Sequence, residues 1–167
     1  MKGKTIMAKT AKQQETRTEG LENPPFNVWI KPVSREFGEK LSSLDDAQWS
    51  VPRQAHQGDL LLYYHTAPDS CIKDIFILDG PLQHVNAEWK GGLDFMGPIR
   101  RVCRLRLPLF FKDMKGHPLL HDEGFVKEQP QGGARVTHVW QCLYDLLVDI
   151  NPSVRKKLAK KFHPARL

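Results

Sequence analysis

Apolar residues in the first half of the chain recur with the spacing of β-strands. Phe26–Lys31 alternates between two faces, which predicts a strand that ends at Pro32. Leu60–His65 is apolar throughout, as expected of a strand that is buried on both faces. Ile72–Leu78 predicts a further strand after a turn at residues 67–70. The last two strands therefore predict a β-hairpin.

Other stretches have the period of amphipathic helices. Arg35–Leu44 and Thr137–Ile150 each place their apolar residues along one side. Asn151-Pro152 is expected to end the second of these helices and to begin a last one. The basic residues of that last helix are predicted to form a solvated face, which includes Lys156, Lys157, Lys160 and Lys161. Residues 81–97 have no clear period, and we expect a loop there that can lie over a pocket.

A basic strand is predicted at Ile99–Leu109. Arg100, Arg104 and Arg106 share one face and form a stripe that is expected to meet solvent. Arg101 falls on the opposite, apolar face, where an unpaired guanidinium would be costly. We therefore expect Arg101 either to have an acidic partner or to open into a wet cavity.

The composition is that of a folded, basic protein. A chain of 167 residues with 40% hydrophobic residues is long enough for one domain with a core. Residues 1–25 are rich in Lys, Thr, Gln and Glu and are predicted to form a disordered tail. The net charge of +6 favours an anionic partner, of which nucleic acid is the commonest. A merely soluble basic protein would have the same charge.

Nothing in the sequence predicts export or membrane insertion. The three cysteines, Cys71, Cys103 and Cys142, lie far apart among apolar residues, which is typical of reduced core cysteines. The chain has no apolar run of membrane-spanning length, and its first residues lack the apolar segment of a secretory signal. The predicted location is therefore the cytoplasm, with no membrane partner.

Trp49 is the leading candidate for a binding residue, because it stands among polar residues before a Pro-containing turn and belongs to no periodic apolar face. A Trp held in a loop offers a platform on which any nucleobase can stack. Trp89 and Phe95, in the predicted loop, are expected to supply facing walls. Ser50 and His65 are expected to contact the edge of the base.

Four arginines complete the predicted site. They are expected to hold phosphates without reading the sequence of the nucleic acid, and they are Arg53, Arg100, Arg104 and Arg106. One rival interpretation is a module that binds a small molecule or a protein in the same pocket. That rival predicts binding that varies little with salt.

The other rival is an enzyme that acts on a nucleic acid or nucleotide. The sequence contains no nucleophile-elbow, phosphate-loop or zinc-protease motif. His65 with Asp59 or Asp74 is the one faint constellation for a general base. His117 and His121 are four residues apart, but a proline between them argues against a helical metal site. We therefore predict neither a metal nor a cofactor.

The order of these features resembles that of the EVE domain, which belongs to the PUA-like superfamily and is related to YTH domains. The resemblance covers about residues 26–158. It rests on an opening strand at Val28–Ile30 and a Trp-Ser-Val-Pro segment at Trp49–Pro52. It rests also on a Gly-Asp pair before an apolar strand, Gly58–Tyr64, and on a basic strand that ends in Leu-Pro, Ile99–Pro108.

The resemblance implies an α+β fold, with one small mixed β-barrel and peripheral helices over residues 26–167. It also implies a pocket that receives a flipped-out base, often a methylated one, with Trp49 as a wall. Arg101 stands where YTH domains have a second aromatic wall, and its guanidinium can stack on a base or contact its acceptor edge. The predicted function is therefore a non-enzymatic module that binds DNA or RNA through one base, methylated or plain.

Overall fold

Seven strands and five α-helices make up the part of the chain that the structure describes. The structure is a computed structural model, and it describes residues 24–87, 92–128, 132–158 and 160–167. The strands are β1 (Val28–Val33), β2 (Asp46–Ser50), β3 (Leu60–His65), β4 (Cys71–Leu78), β5 (Gln83–Ala87), β6 (Gly92–Phe110) and β7 (Ala134–Arg135).

The strands form one sheet in the order β2-β6-β4-β3-β1-β7, and β5 also pairs with β6. β1 and β3 run parallel, whereas the other neighbouring strands run antiparallel. The 19 residues of β6 pair with β5 and β2 in the first half of the strand and mainly with β4 in the second. β6 is therefore long enough to take part in two regions of the sheet.

The sheet curls into a small barrel. Trp29 of β1 and Val51, which follows β2, pack in the same core cluster and line the same cavity. In a flat sheet, the four strand spacings between β1 and β2 would hold these residues roughly 19 Å apart. The sheet must therefore bring its two ends together, which confirms the predicted α+β architecture of a mixed barrel in one domain.

The two faces of the sheet have separate cores, as the alternation along β3 shows. Leu60, Leu62 and Tyr64 pack in a large outer core, whereas Leu61 and Tyr63 pack in a smaller core inside the barrel. All six residues of β3 are buried, as predicted. We call these two sides the outer face and the inner face of the sheet.

The helices surround the barrel. They are α1 (Arg35–Ser42), α2 (Phe111–Lys115), α3 (Gly124–Lys127), α4 (Trp140–Ile150) and α5 (Val154–Leu158), with 3-10 turns at Thr137–Val139 and Pro164–Arg166. α4 and α5 cover the outer core with their buried residues, which include Trp140, Leu147 and Leu158. The amphipathic patterns thus predicted α1, α4 and α5 correctly.

Two strand predictions differ from the structure. β1 continues through Pro32 to Val33 and stays paired with β3. Its other neighbour, β7, pairs only with Trp29 and Ile30, so Pro32 lies where β1 is an edge strand and a missing N–H group is tolerated.

Residues 81–97, predicted as a loop, instead contain β5 and the start of β6, which pair as two antiparallel strands. The mostly polar residues of β5 concealed its strand period. Trp89 lies outside the described residues, as do residues 1–23 of the predicted tail.

A bulge in β6 interrupts the predicted two-faced pattern of the basic strand. Phe76 pairs with Arg101 and the preceding Ile75 pairs with Cys103, so Val102 is an extra residue on β6. As a result, Arg101 lies over the Phe76 ring of the inner core, 4.7 Å from its centroid, whereas Cys103 packs in the outer core.

Candidate functional site

A cavity of about 310 Å³ opens at one end of the barrel, and we call it the barrel-mouth cavity. Its walls come from β1, the turn after β2, the start of β6 and the residue before β7. The lining residues are Trp29, Lys31, Val51, Pro52, Arg53, Gln54, Asp94, Phe95 and Gly133. Paired strands therefore supply fixed walls, and a turn supplies the rim.

The buried carboxylate of Asp59 holds the Trp29 wall in place. It accepts a hydrogen bond from Trp29 Nε1 and others from the backbone amides of Asn27 and His56, each at 2.9 Å. The preceding Gly58 has a φ of 96°, a left-handed conformation that favours glycine. The Gly-Asp pair in the sequence thus forms a turn that aims one carboxylate at the Trp29 indole.

Phe95 and Arg53 give the cavity a surface for stacking. The Arg53 guanidinium carbon lies 5.7 Å from the centroid of the half-buried Phe95 ring. The ring of His84, from β5, packs against Phe95 with the centroids 4.1 Å apart and helps to hold it. Phenyl and guanidinium groups are both flat and attract planar ligands, so this pair can cover one side of a heterocycle.

Buried polar groups provide hydrogen-bonding partners beside this surface. Lys31 and Asp94, only 9% and 5% exposed, both line the cavity. The nearby Tyr63 hydroxyl donates to the Ser50 carbonyl at 2.9 Å. Burial, together with the Asp94 carboxylate, raises the pKa of Tyr63 far above its ordinary value, so this phenol stays neutral. The cavity therefore combines a cationic donor with a carboxylate acceptor.

Trp49 does not line the barrel-mouth cavity. It lies in β2 opposite Gly97, and its half-buried indole meets the ring of Phe37 edge-on, with the centroids 6.4 Å apart. The neighbouring Ser50 likewise belongs to the paired strand and not to a loop. Trp49 therefore does not face Phe95 across this cavity, although the sequence had led us to expect it.

His65 and Arg101 belong to a hydrogen-bonded cluster around Asp74, which is fully buried. The Asp74 carboxylate lies 2.6 Å from Arg101 Nη1, 2.6 Å from Ser42 Oγ and 2.9 Å from His65 Nε2. Arg101 also donates to backbone carbonyls at the end of α1, including that of Leu44. The structure contradicts the prediction that His65 and Arg101 contact a base, because their polar atoms bind within this cluster. Asp74 is the acidic partner expected for Arg101.

The Asp74 cluster is structural in character. Burial alone would raise the pKa of the Asp74 carboxyl, but hydrogen bonds from His65, Ser42 and Arg101 outweigh burial and lower the pKa to about 2. The carboxylate is thus charged at neutral pH and joins β3, β4 and β6 to α1.

A second cavity of about 530 Å³ lies on the outer face, and we call it the basic groove. Its lining residues are Ile77, Arg100, Arg101, Val102, Lys156, Lys157, Lys160, Lys161 and Phe162. Sequence reasoning missed this groove because it treated the terminal lysines as a solvated face. The basic strand and the basic last helix were the two signals, but nothing in the sequence showed that they lie side by side.

The four arginines predicted to bind phosphate are dispersed. Arg53 lines the barrel-mouth cavity and Arg100 lines the basic groove. The side chain of Arg104 donates to the Ser42 carbonyl, and Arg106 is exposed on β6. These residues therefore do not form one phosphate-binding surface.

The remaining predictions concern cysteines and membranes. Cys71, Cys103 and Cys142 form no disulfide, and burial raises the pKa of the Cys71 and Cys103 thiols. No helix in the described part of the chain combines the length and the apolar character needed to cross a bilayer.

Comparison with known proteins identifies the fold. No protein-family model and no curated protein sequence matches the chain. Solved structures do match it. The ASCH protein of Zymomonas mobilis superposes with a TM-score of 0.55 at 12% identity, covering 71% of this chain and 94% of that one.

Two further structures have the same fold. A protein from Agrobacterium tumefaciens gives a TM-score of 0.57 at 18% identity and covers 75% of this chain and 93% of its own. A protein from Leishmania major gives 0.60 at 11% identity, with coverages of 74% and 96%. The fold is PUA-like. Identities this low show the fold alone.

Proposed function

We propose that the protein is a non-enzymatic module that binds single-stranded nucleic acid and takes one unpaired base into the barrel-mouth cavity. The observation that carries this proposal is the position of the Phe95 ring and the Arg53 guanidinium beside the buried Lys31 and Asp94. Flat groups bind the face of a base, and polar groups bind its edge.

The size of the cavity supports a single base. A volume of about 310 Å³ is at the lower end of the range of small-ligand pockets, roughly 300–1,000 Å³. Val51 and Pro52 add an apolar wall, against which a methyl group on the base can pack. We therefore propose a pocket that accepts methylated and plain bases. This agrees with the resemblance to EVE domains, although the wall is Phe95 in place of Trp49.

The absence of catalysis is part of the same proposal. His65 was the general base suggested by the sequence, and its side chain is only 1% exposed and bound to Asp74. Asp59 is engaged by Trp29 and two backbone amides. Among the described residues, neither Asp59 nor Asp74 pairs with a histidine side chain that a substrate could reach. The three unpaired cysteines support the further proposal of a cytoplasmic protein.

The test is fluorescence anisotropy with a labelled 12-nucleotide RNA, the DNA of the same sequence, and both with one base methylated. Phe95→Ala should weaken binding about 5- to 150-fold, because stacking on an aromatic ring contributes roughly 1–3 kcal/mol. Phe110→Ala is the matched control, because Phe110 is 39% exposed and does not line the cavity. Its affinity should be unchanged.

Two outcomes would refute the proposal. If Trp49→Ala weakens binding and Phe95→Ala does not, the base stacks at the Trp49–Phe37 surface. If a free nucleoside binds as tightly as the oligonucleotide and salt has no effect, the cavity is a small-molecule site.

A further inference from the structure

We infer that the basic groove is a second binding site, which holds the phosphodiester backbone of a single strand on the outer face of the barrel. This inference rests on the proposed function, because it names the strand as the occupant. It concerns a different surface, since Trp29 and Val51 of the barrel-mouth cavity belong to the inner core, whereas the apolar residues that line the groove belong to the outer core or pack against it.

The lysines that line the groove are carried on a firmly attached segment. The Asn151 side chain, expected to cap a helix, instead binds both backbone groups of Leu107 in β6, at 2.9 and 2.8 Å. At the other end of the segment, Trp140 Nε1 donates to the Phe162 carbonyl at 2.7 Å, and the Phe162 ring packs edge-on against Phe26. These contacts fix Asn151 against β6 and Phe162 against the outer core, so the two ends of the lysine-bearing segment gain little order on binding.

The charge of the groove is concentrated and only partly compensated. Lys156, Lys157, Lys160 and Lys161 are exposed, and none has a carboxylate within 4.0 Å among the residues that the structure describes. Arg100, on the facing strand, lies 3.4 Å from Asp79 in a contact in which both side chains are about half exposed. The four lysines and Arg100 around one concave surface focus a positive potential, which attracts a polyanion.

The floor of the groove distinguishes a nucleic acid from other polyanions. Ile77 and Phe162 are buried, and Val102 is partly buried against the same core, so apolar side chains lie between the cationic rims. A nucleic-acid strand has anionic phosphates and less polar sugar and base faces, and it matches both parts. A concave groove also fits a flexible chain better than it fits the flat surface of a lipid bilayer.

The test compares two variants that each lose two positive charges. Lys156→Ala/Lys157→Ala removes two cations from the groove. Lys112→Ala/Lys115→Ala removes two exposed cations from α2, which do not line the groove. Binding of the labelled 12-nucleotide RNA to the full chain is measured between 50 and 300 mM KCl.

The groove variant should bind about 25-fold more weakly at 0.1 M salt, and the slope of log K against log salt should fall by about 1.4. Each phosphate contact on a single strand contributes roughly 0.7 to that slope. The α2 variant should stay within about twofold of the unaltered protein. Equal losses in both variants would overturn the inference, because net charge alone would then explain them.

Two further measurements separate this inference from the proposed function. Phe95→Ala should weaken binding without changing the salt slope, since stacking releases no counterions. If the salt slope changes in the groove variant but Phe95→Ala binds as tightly as the unaltered protein, the groove inference stands and the base cavity is refuted. Vesicles with 30% phosphatidylserine are the second probe. Groove-dependent vesicle binding with unaltered RNA binding would overturn the inference in favour of a membrane surface.

Discussion

Replacing Asp74 by Asn should destabilise the protein severely at neutral pH. The substitution leaves the Arg101 guanidinium, 10% exposed, without the carboxylate that lies 2.6 Å away. Breaking a buried ion pair by removing one partner costs about 3–5 kcal/mol. The carbonyls at the end of α1 still accept hydrogen bonds from Arg101, so we expect a loss near the lower end of that range.

The pH dependence of this loss follows from the pKa of Asp74. The pKa falls from an ordinary value of 3.8 to about 2 in the folded protein, which corresponds to about 2.5 kcal/mol of stability. Because the folded pKa is lowered, this stability is present above pH 4 and is lost as the pH falls towards 2. The difference between Asp74→Asn and the unaltered protein should therefore shrink by about 2 kcal/mol between pH 5 and pH 2.

The assay is urea unfolding followed by far-ultraviolet circular dichroism at a series of pH values. Asp45→Asn is the matched control, because Asp45 also lies near Arg101, at 3.5 Å, but its side chain is 93% exposed. The control should change the free energy of unfolding by less than about 0.5 kcal/mol. Equal losses of stability in the two variants would show that burial does not explain the contribution of the Asp74–Arg101 ion pair. A difference between Asp74→Asn and the unaltered protein that does not vary with pH would show the same.

Two other predictions concern packing and alkaline pH. Gly38→Ala should destabilise the protein by about 1–3 kcal/mol despite the better helix propensity of Ala, because its Cβ would lie 2.4 Å from Nδ1 of the buried His65. In the same urea assay Gly124→Ala, with open space around its Cβ, should be neutral or stabilising; a stabilising Gly38→Ala would refute the close contact. Burial raises the pKa of Tyr63, so the unaltered protein should lose stability as the pH rises above about 10. Tyr63→Phe should lower the free energy of unfolding by about 1 kcal/mol at pH 7, because the hydrogen bond to the Ser50 carbonyl is lost. Its free energy of unfolding should also depend less on pH between 9 and 11 than that of the unaltered protein. An equal pH dependence in the two proteins would show that Tyr63 does not cause the alkaline loss.

Local patterns in the sequence predicted much of the fold. Leu60–His65 reads as a strand buried on both faces because both faces of β3 pack against cores. The apolar side of residues 137–150 predicts α4 because one side of that helix packs on the outer core. Such signals depend on each residue and its near neighbours. The bulge at Val102 and the passage of β1 through Pro32 depend on the partner strands, so no local pattern reveals them.

The candidate sites were harder to predict, because they form from residues far apart in the sequence. Phe95 and Arg53 are 42 positions apart, and the lysines of the groove meet a strand more than 50 positions earlier. Trp49 attracted attention because it has no apolar period, yet its indole packs against Phe37. A polar neighbourhood in sequence thus did not imply an open neighbourhood in the fold.

The two ends of the barrel interior differ in the room that they leave for a ligand. Trp29 pairs with Leu61 and Val33 pairs with His65, four residues further along β1, which is roughly 13 Å along the strand. At the His65 end, Gly38 of α1 lies against the buried His65 ring, and the polar groups around Asp74 bind one another. At the Trp29 end, no helix of the described chain covers the opening, and charged groups line a cavity of about 310 Å³. Buried polar groups that bond to one another stabilise the fold, whereas a cavity of this size leaves room for a small planar ligand. This difference, more than the presence of any one aromatic residue, is the reason we propose the Trp29 end as the place where a base binds.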